Sequence, residues 1–362
     1  MMNKKRKLFI NTNPALWFVL VFIILLLFII AFNFDRFDLK DADLFTFFYT
    51  YITVILLHTF LNRKRFRLFN QQGMSETIYK SYVQLTWLCL PYLLIAVVYE
   101  NLILFSKAFA DTFNNVDLFL MKADEVIVGV QPTIWLQNFI HPLAIDYFMV
   151  AYGMFVVYPF VYLIYLLQRN RLDIFYRVIM AQVISLIISL SCYIVFPAIG
   201  PRFIFNPDFP KMAKNLPEFT SRLQGVRFDF LLNLTGKESF YALQYDMWNY
   251  LERIKTDCMP SNHACLCMIC LIYALRYRET FKWKKTAVSF WIIGVLSLII
   301  STVYLRYHWV VDIIAGVFLT IAAYYVTEII YLKWNSTLKR KGFADHEVQW
   351  IRETEKLYKR SN

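Results

Sequence analysis

Charged residues are absent from three long stretches of this sequence, at residues 15–34, 178–197 and 287–305. Apolar stretches of about 20 residues match the thickness of a bilayer core, where the backbone satisfies its own hydrogen bonds as helices. Hydrophobic residues make up 59% of the 362 positions, which is more apolar surface than a soluble protein of this length needs. The sequence therefore predicts an all-α, polytopic membrane helix bundle without a large soluble module.

The sequence predicts neither a cleavable signal peptide nor a disulfide framework, and we find no internal repeat in it. The basic cluster at residues 4–7 precedes an apolar stretch too long for a signal peptide, so we expect a first membrane anchor there. Of the six cysteines, Cys265, Cys267 and Cys270 lie inside one apolar run, and only the last two share a helix face. We interpret them as small buried side chains rather than metal ligands.

About eight membrane helices are predicted. They cover residues 15–34, 44–61, 82–104, 143–167, 175–196, 264–277, 287–305 and 309–332. The net charge of +12 comes from short basic clusters between these stretches, which is typical of membrane topology and argues against a nucleic-acid partner. The clusters at 4–7, 63–67, 169–177, 278–285 and 339–341 fall on one side. The positive-inside rule places that side, and both termini, in the cytoplasm.

Two segments on the outer side are long. Residues 106–142 mix apolar and acidic side chains, and we interpret them as interfacial helices on the bilayer surface. Residues 198–262 form the longest loop, and loops of this length are usually functional or disordered.

Histidine is scarce, with five in the chain, and two of them lie at predicted outer ends of helices. His263 follows Pro-Ser-Asn at the start of the sixth helix, and His308 opens the eighth. Asp312 follows His308 by four residues, and Arg202 lies just after the fifth helix. All four groups are therefore predicted at the extracytoplasmic face.

These side chains suit the transfer of a phosphoryl group. His308 and Asp312 are neighbours on a helix, so the carboxylate can fix one ring nitrogen and leave the other as a nucleophile or base. Ser261 can cap the helix that carries His263, and the free N–H groups of such a helix end attract phosphate. Arg202 offers the forked donor that fits phosphate oxygens. We therefore expect no metal and no cofactor.

The same residues resemble the signatures of the type 2 phosphatidic acid phosphatase superfamily, which also includes vanadium haloperoxidases. That family carries an arginine motif, a Pro-Ser-x-His motif and a Ser-Arg-x5-His-x3-Asp motif. The sequence has Gly-Pro-Arg at 200–202, Pro-Ser-Asn-His at 260–263 and Ser-x6-His-x3-Asp at 301–312. The resemblance covers about residues 82–332.

This resemblance implies three parts of the chain. Residues 1–80 form two additional helices and a basic cytoplasmic loop, residues 81–334 a six-helix phosphatase or phosphotransferase core, and residues 335–362 a polar cytoplasmic tail.

Three positions depart from the phosphatase pattern. The lysine of the arginine motif is Val195, the glycine before the motif histidine is Asn262, and the arginine of the third motif is Thr302. Arg306, two residues before His308, is a candidate to replace the lost charge.

These departures look more like the inositol phosphorylceramide synthase branch, as do Gln-Pro-Thr-Ile-Trp-Leu at 131–136 and Val-Tyr-Leu-Arg-Tyr-His at 303–308. Members of that branch transfer phosphoinositol from a lipid to ceramide, so the resemblance implies a phospholipid or lipid-phosphate substrate in the bilayer.

The resemblance also implies a role for each residue. His308 attacks phosphorus and forms a phosphohistidine, Asp312 orients His308, and His263 protonates the leaving alkoxide and then activates the acceptor. The residues expected to hold the phosphate are Arg202, Ser261, Asn262 and Arg306. The acceptor is water in a phosphatase and an alcohol in a transferase, and the sequence leaves both open.

Other interpretations stay open at this point. Asp146, one turn into the fourth helix, lines a headgroup pocket or caps the helix, and we favour the cap. A metal-dependent membrane hydrolase would use His263, His308 and Asp312 as ligands. A non-enzymatic lipid-binding or transport protein would only coordinate a headgroup, although the sequence has no inverted repeat typical of transporters.

The compact loops favour a bacterial cytoplasmic membrane, with the site facing the periplasm. In a eukaryote the site would face the lumen, and Asn233 in Asn-Leu-Thr would be a candidate for glycosylation.

Overall fold

A computed structural model describes the chain at residues 13–43, 45–139, 141–204 and 256–340. Within these ranges the regular elements are helices, and the only extended pairing is an isolated bridge between Ala198 and Asp257. The all-α prediction is confirmed. The N-terminal basic cluster, Asn233 and the tail beyond residue 340 lie outside the described residues.

The described ranges contain twelve α-helices. They are α1 Pro14–Phe32, α2 Phe45–Gln71, α3 Ser75–Glu100, α4 Leu102–Ala108, α5 Asp117–Val128, α6 Pro132–Trp135, α7 Pro142–Gln168, α8 Leu172–Val195, α9 Pro201–Ile204, α10 Asn262–Arg276, α11 Lys284–Tyr304 and α12 Val310–Arg340. Short 3-10 helices lie at Phe34–Arg36, Leu39–Asp41, Leu136–Phe139 and Arg278–Thr280.

Seven described segments are long and apolar enough to cross a membrane. They are α1, Leu39–Gln71, Ser75–Ala108, α7, α8, α11 and Val310–Thr337. The remaining predicted helix, the sixth at residues 264–277, corresponds to α10, which has 15 residues and is shorter than these seven segments. The protein is an integral membrane protein, and apolar side chains such as Leu25 and Phe28 are more than half exposed, as lipid contact requires.

The basic residues 63–67 differ from the prediction, because they belong to the last turns of α2 rather than to a loop. Lysine and arginine are good helix formers, and their long stems let the charge reach water from an apolar helix.

The described contacts divide the chain into two compact units. The described residues of the first unit lie within Met1–Asn101, Val161–Ile187 and Tyr324–Asn362, and those of the second lie within Leu102–Phe160 and Ile188–Ala323. In the first unit α3 packs against both α1 and α2. Every predicted site residue lies in the second unit, where α10 packs against α11.

The outer segment predicted at 106–142 is helical, since it contains α5, α6 and a 3-10 turn. Its acidic residues are not all on a surface, however. Asp117 is 0% exposed and Asp124 is 1% exposed, so α5 turns both carboxylates into the protein. The position of this segment relative to the bilayer stays a prediction.

Candidate active site

The arginine motif makes a tight turn that leads into α9. Gly200 has φ +81°, and a Cβ atom there would lie 2.8 Å from the carbonyl oxygen of Tyr307 and 2.9 Å from Sγ of Cys258. Both the backbone angle and the close approach therefore require glycine. Arg202, in the first turn of α9, is buried, with 5% of its surface exposed. Its guanidinium carbon lies 4.6 Å from the centre of the Tyr307 ring.

The Pro-Ser-Asn-His motif starts α10. Oγ of Ser261 accepts a hydrogen bond from the N–H of Ala264 at 3.4 Å, which confirms the cap expected at this position. The N–H of Ser261 donates to the carbonyl oxygen of Asp312 at 3.1 Å. Gly316 allows this approach of α12, because a Cβ there would lie 2.8 Å from the carbonyl oxygen of Ser261.

Asn262, which replaces the usual glycine, is hydrogen-bonded to a residue of α8. Oγ of Ser189 donates to Oδ1 of Asn262 at 2.6 Å. The hydroxyl of Tyr193 donates to the carbonyl oxygen of Pro260 at 2.9 Å. Both bonds fix the start of α10 against α8.

The turn before His308 contains a second residue with positive φ. α11 ends at Tyr304, and Arg306 has φ +67°, a conformation that favours glycine at the end of a helix. The carbonyl oxygen of Thr302 accepts the N–H groups of Tyr307 at 2.8 Å and His308 at 3.0 Å. This turn fixes the backbone of His308, and the Arg306 side chain is 3% exposed.

The predicted pair of His308 and Asp312 is present. Nδ1 of His308 lies 3.4 Å from Oδ2 of Asp312. The same oxygen accepts the N–H of Trp309 at 2.9 Å, as an acidic side chain in the first turn of a helix does. Both side chains are almost fully buried.

Cys258 is a member of this cluster that the sequence did not indicate. Its thiol donates to Oδ2 of Asp312 at 2.8 Å, and Sγ lies 3.4 Å from Nδ1 of His308. Burial raises the pKa of the Cys258 thiol well above its usual range. The thiol therefore stays protonated and acts as a hydrogen-bond donor.

The two motif histidines touch each other. Nδ1 of His263 lies 3.0 Å from Nε2 of His308. With a proton on Nδ1 of His308, facing Asp312, Nε2 is the acceptor and His263 donates through Nδ1. In this arrangement the lone pair on Nε2 of His308 faces the Nδ1 proton of His263.

An aromatic stack joins His263 to Arg202. The Tyr152 ring stacks on His263 with centroids 4.6 Å apart, and on Tyr307 with centroids 4.0 Å apart. The guanidinium of Arg202 lies over the Tyr307 ring. The two tyrosines therefore connect the phosphate-binding candidate to the candidate acid through a chain of ring contacts.

Asp117 connects two motifs. Its Oδ1 accepts from the N–H of Gly200 at 2.8 Å and from Nε1 of Trp309 at 2.8 Å. Its Oδ2 accepts from the N–H of Ile199 at 2.7 Å and from the amide of Asn115 at 2.6 Å. Burial raises the pKa of Asp117, and these four donors oppose that rise because they favour the carboxylate.

Asp124 caps α12. Its two oxygens accept the N–H groups of Val310 at 2.9 Å and Val311 at 2.8 Å. Burial raises the pKa of Asp124 to about 6, and the two N–H groups pull it in the other direction. A sequence signal for both acids existed, because Asp117 and Asp124 are seven residues apart and lie on one face of a helix.

Asp146 lies apart from these contacts. Its side chain accepts no hydrogen bond among the described residues, and its Oδ1 is buried. The first turn of α7 is instead served by His141, whose Nδ1 accepts the N–H of Leu143 at 3.3 Å. The preference for a cap at Asp146 is therefore unsupported, and its place in a headgroup pocket stays a prediction.

The group with metal-ligand spacing among the described residues is Cys258, His308 and Asp312, whose ligand atoms lie within 4.8 Å of one another. It does not include His263, which the metal-dependent alternative required.

A membrane helix bundle with a histidine pair, a carboxylate and a buried arginine defines a phosphatase-type enzyme for lipid phosphates. Residues 118–326, more than half of the chain, match the model of the PAP2 superfamily, and the chain belongs to this superfamily. No curated protein and no solved structure matches the chain. The superfamily prediction is confirmed, and the inositol phosphorylceramide synthase branch stays a prediction.

Proposed function

We propose that the protein transfers a phosphate-linked group from a membrane lipid through a covalent intermediate on Nε2 of His308, at the extracytoplasmic face. The observation that carries this proposal is the ordered row Asp312, His308 and His263. The Asp312 carboxylate faces Nδ1 of His308, and Nδ1 of His263 lies 3.0 Å from Nε2 of His308.

The row supports a two-step displacement. Nε2 of His308 forms a bond to phosphorus while the P–O bond of the lipid breaks. His263, which enters this step protonated on both ring nitrogens, gives its Nδ1 proton to the leaving alkoxide and becomes neutral. In the second step His263 takes the proton of the acceptor hydroxyl, whose oxygen displaces His308 from phosphorus. Asp312 stabilises the positive charge on His308 between the steps. The two imidazole rings separate when phosphorus enters between them.

Three sets of donors would hold the phosphate oxygens. Arg202 and Arg306 are buried guanidinium groups on the turns that lead into α9 and to His308. Among the described residues, no group accepts from the N–H of Asn262 or His263, so the start of α10 keeps two donors for an anion.

The charge of the site favours a phosphodiester, and therefore a transferase that moves a headgroup such as phosphoinositol between lipids. A phosphomonoester carries up to two negative charges near neutral pH, whereas a diester carries one. The family lysine and arginine are replaced by Val195 and Thr302, so the motifs retain fewer cations. Fewer cations suit the smaller charge.

Product analysis tests this proposal. Purified protein in detergent is incubated with labelled phosphatidic acid, a phosphoinositide lipid or an isoprenoid diphosphate, with and without ceramide or diacylglycerol. A new phospholipid that requires the added alcohol supports transfer, and inorganic phosphate supports hydrolysis. His308→Ala should abolish either product. His141→Ala, a histidine outside the row, is the matched control and should retain it. Equal activity in wild type and His308→Ala would contradict the mechanism.

A metal-dependent hydrolase is the second candidate, because Cys258, His308 and Asp312 have metal-ligand spacing. Full activity after exhaustive chelation would exclude it.

A further inference from the structure

We propose that α5 is a positioning element of the catalytic centre, in which Asp117 and Asp124 set the distance between Arg202 and His308. This inference rests on the proposed function for its catalytic consequence. Its structural part concerns contacts that exist whatever the substrate is.

Asp117 ties together two segments that are far apart in sequence. One carboxylate receives the N–H groups of residues 199 and 200, just before Arg202, and the indole N–H of Trp309, just after His308. Charge-assisted hydrogen bonds inside a protein are roughly twice as strong as neutral ones. One carboxylate therefore links the backbone of the turn before Arg202 to the side chain of the residue after His308.

Asp124 acts two helical turns away on the same face of α5. It occupies the N–H groups of Val310 and Val311, while Asp312 occupies that of Trp309. Two carboxylates thus satisfy the first donors of α12, the helix that carries Asp312. The start of α12 is consequently unavailable for phosphate, which leaves that task to α10 and the arginines.

A helix that served only to fill space would not need these groups. The apolar side of α5 already packs through Leu120 and Met121 against a core that contains Trp309. Burying a carboxylate costs free energy unless it is fully hydrogen-bonded. Each of these two buried carboxylates accepts backbone N–H groups close to a motif residue. This arrangement indicates that the two acids position the motif residues.

Asp117→Asn and Asp124→Asn test the inference, because each replaces a carboxylate with an amide of nearly the same shape. One amide nitrogen then faces N–H donors and repels them. We expect kcat to fall about 10- to 100-fold, as displacement of reacting groups by about 1 Å does. KM should change less than about threefold, since neither acid touches the substrate. Glu125→Gln makes the same chemical change one residue away and should match the wild type.

A measurement without substrate separates the geometry from the proposed function. In protein labelled with ¹⁵N-tryptophan, the indole resonance of Trp309 is identified by its loss in Trp309→Phe. We expect this resonance to lie downfield in the wild type, because the indole donates to a carboxylate, and to move upfield in Asp117→Asn. Trp309→Phe also keeps Asp117 in place, so its kcat tests the link if Asp117→Asn does not fold.

The outcomes are distinct. Wild-type kcat in folded Asp124→Asn and in Trp309→Phe would overturn the inference while leaving the proposed function intact. A Trp309 indole resonance that is not shifted downfield would overturn it as well. An inactive wild type with the expected indole shift would sink the proposed function and retain the Asp117–Trp309 link.

Discussion

His263 and His308 face each other directly, with Nδ1 of the first 3.0 Å from Nε2 of the second. His263 and His308 are 45 positions apart in the sequence, and α10, α11 and the turn at Arg306 bring their two nitrogens together. In the proposed mechanism, His308 uses its lone pair and His263 supplies a proton across this contact.

The loss of activity on replacing His263 should depend on whether the leaving group needs a proton. His263→Asn removes the acid, so we expect kcat to fall by about 10²- to 10⁴-fold with a natural lipid alkoxide. With a nitrophenyl phosphodiester, whose leaving group needs no proton, the first step should stay nearly normal in a burst assay. His308→Ala should eliminate the burst with both substrates. Equal losses for both substrates in His263→Asn would contradict the assignment of His263 as the acid.

A substitution at Arg306 can distinguish the effect of its backbone angle on stability from the effect of its guanidinium on catalysis. Arg306→Gly relieves the positive φ, and we expect the free energy of unfolding to stay level or rise by up to about 1 kcal/mol. The loss of the guanidinium should lower kcat/KM at least tenfold if it binds phosphate. Thermal unfolding and steady-state kinetics on the same preparation measure both effects. Unchanged kinetics would show that Arg306 serves the turn alone.

The features of this protein that the sequence predicted are local ones. Hydropathy located the membrane helices, and the spacing of His308 and Asp312 predicted their contact, because both signals are local. The buried contacts of Asp117 and Asp124 were not predicted, because acids in an outer segment are ordinarily solvated and their backbone N–H partners lie more than 80 residues away. Cys258 was missed because one cysteine carries no spacing pattern.

Gly200 tests the close packing of the arginine motif. In Gly200→Ala the new Cβ would overlap Tyr307 and Cys258, and we expect a large loss of stability together with lost activity. Gly129→Ala is the matched control, because Gly129 has a similar φ of +84° and no atom within 4 Å of the added Cβ. Gly129→Ala should lose only the stability that an alanine with positive φ costs. Equal shifts in thermal unfolding for both variants would rule out the close approach.

Cys258 should influence His308 through Asp312. Cys258→Val removes the donor to Oδ2 and keeps an apolar side chain of similar size, so the pH profile of kcat should shift. Cys258→Ser retains a donor and should restore the wild-type profile. Cys267→Ser makes the same cysteine-to-serine change at a buried position on α10 and controls for the general effect of that change. A pH profile that is identical in Cys258→Val and the wild type would remove Cys258 from the catalytic cluster.

The covalent intermediate tests the central claim most directly. In His263→Asn the first step can proceed with a nitrophenyl phosphodiester, but no base activates the acceptor, so the intermediate should accumulate. Rapid quenching at high pH, proteolysis and mass spectrometry would locate the added group. We expect one acid-labile, base-stable adduct on the peptide that contains His308. An adduct on another residue, or turnover with no adduct under conditions that stabilise phosphohistidine, would contradict it.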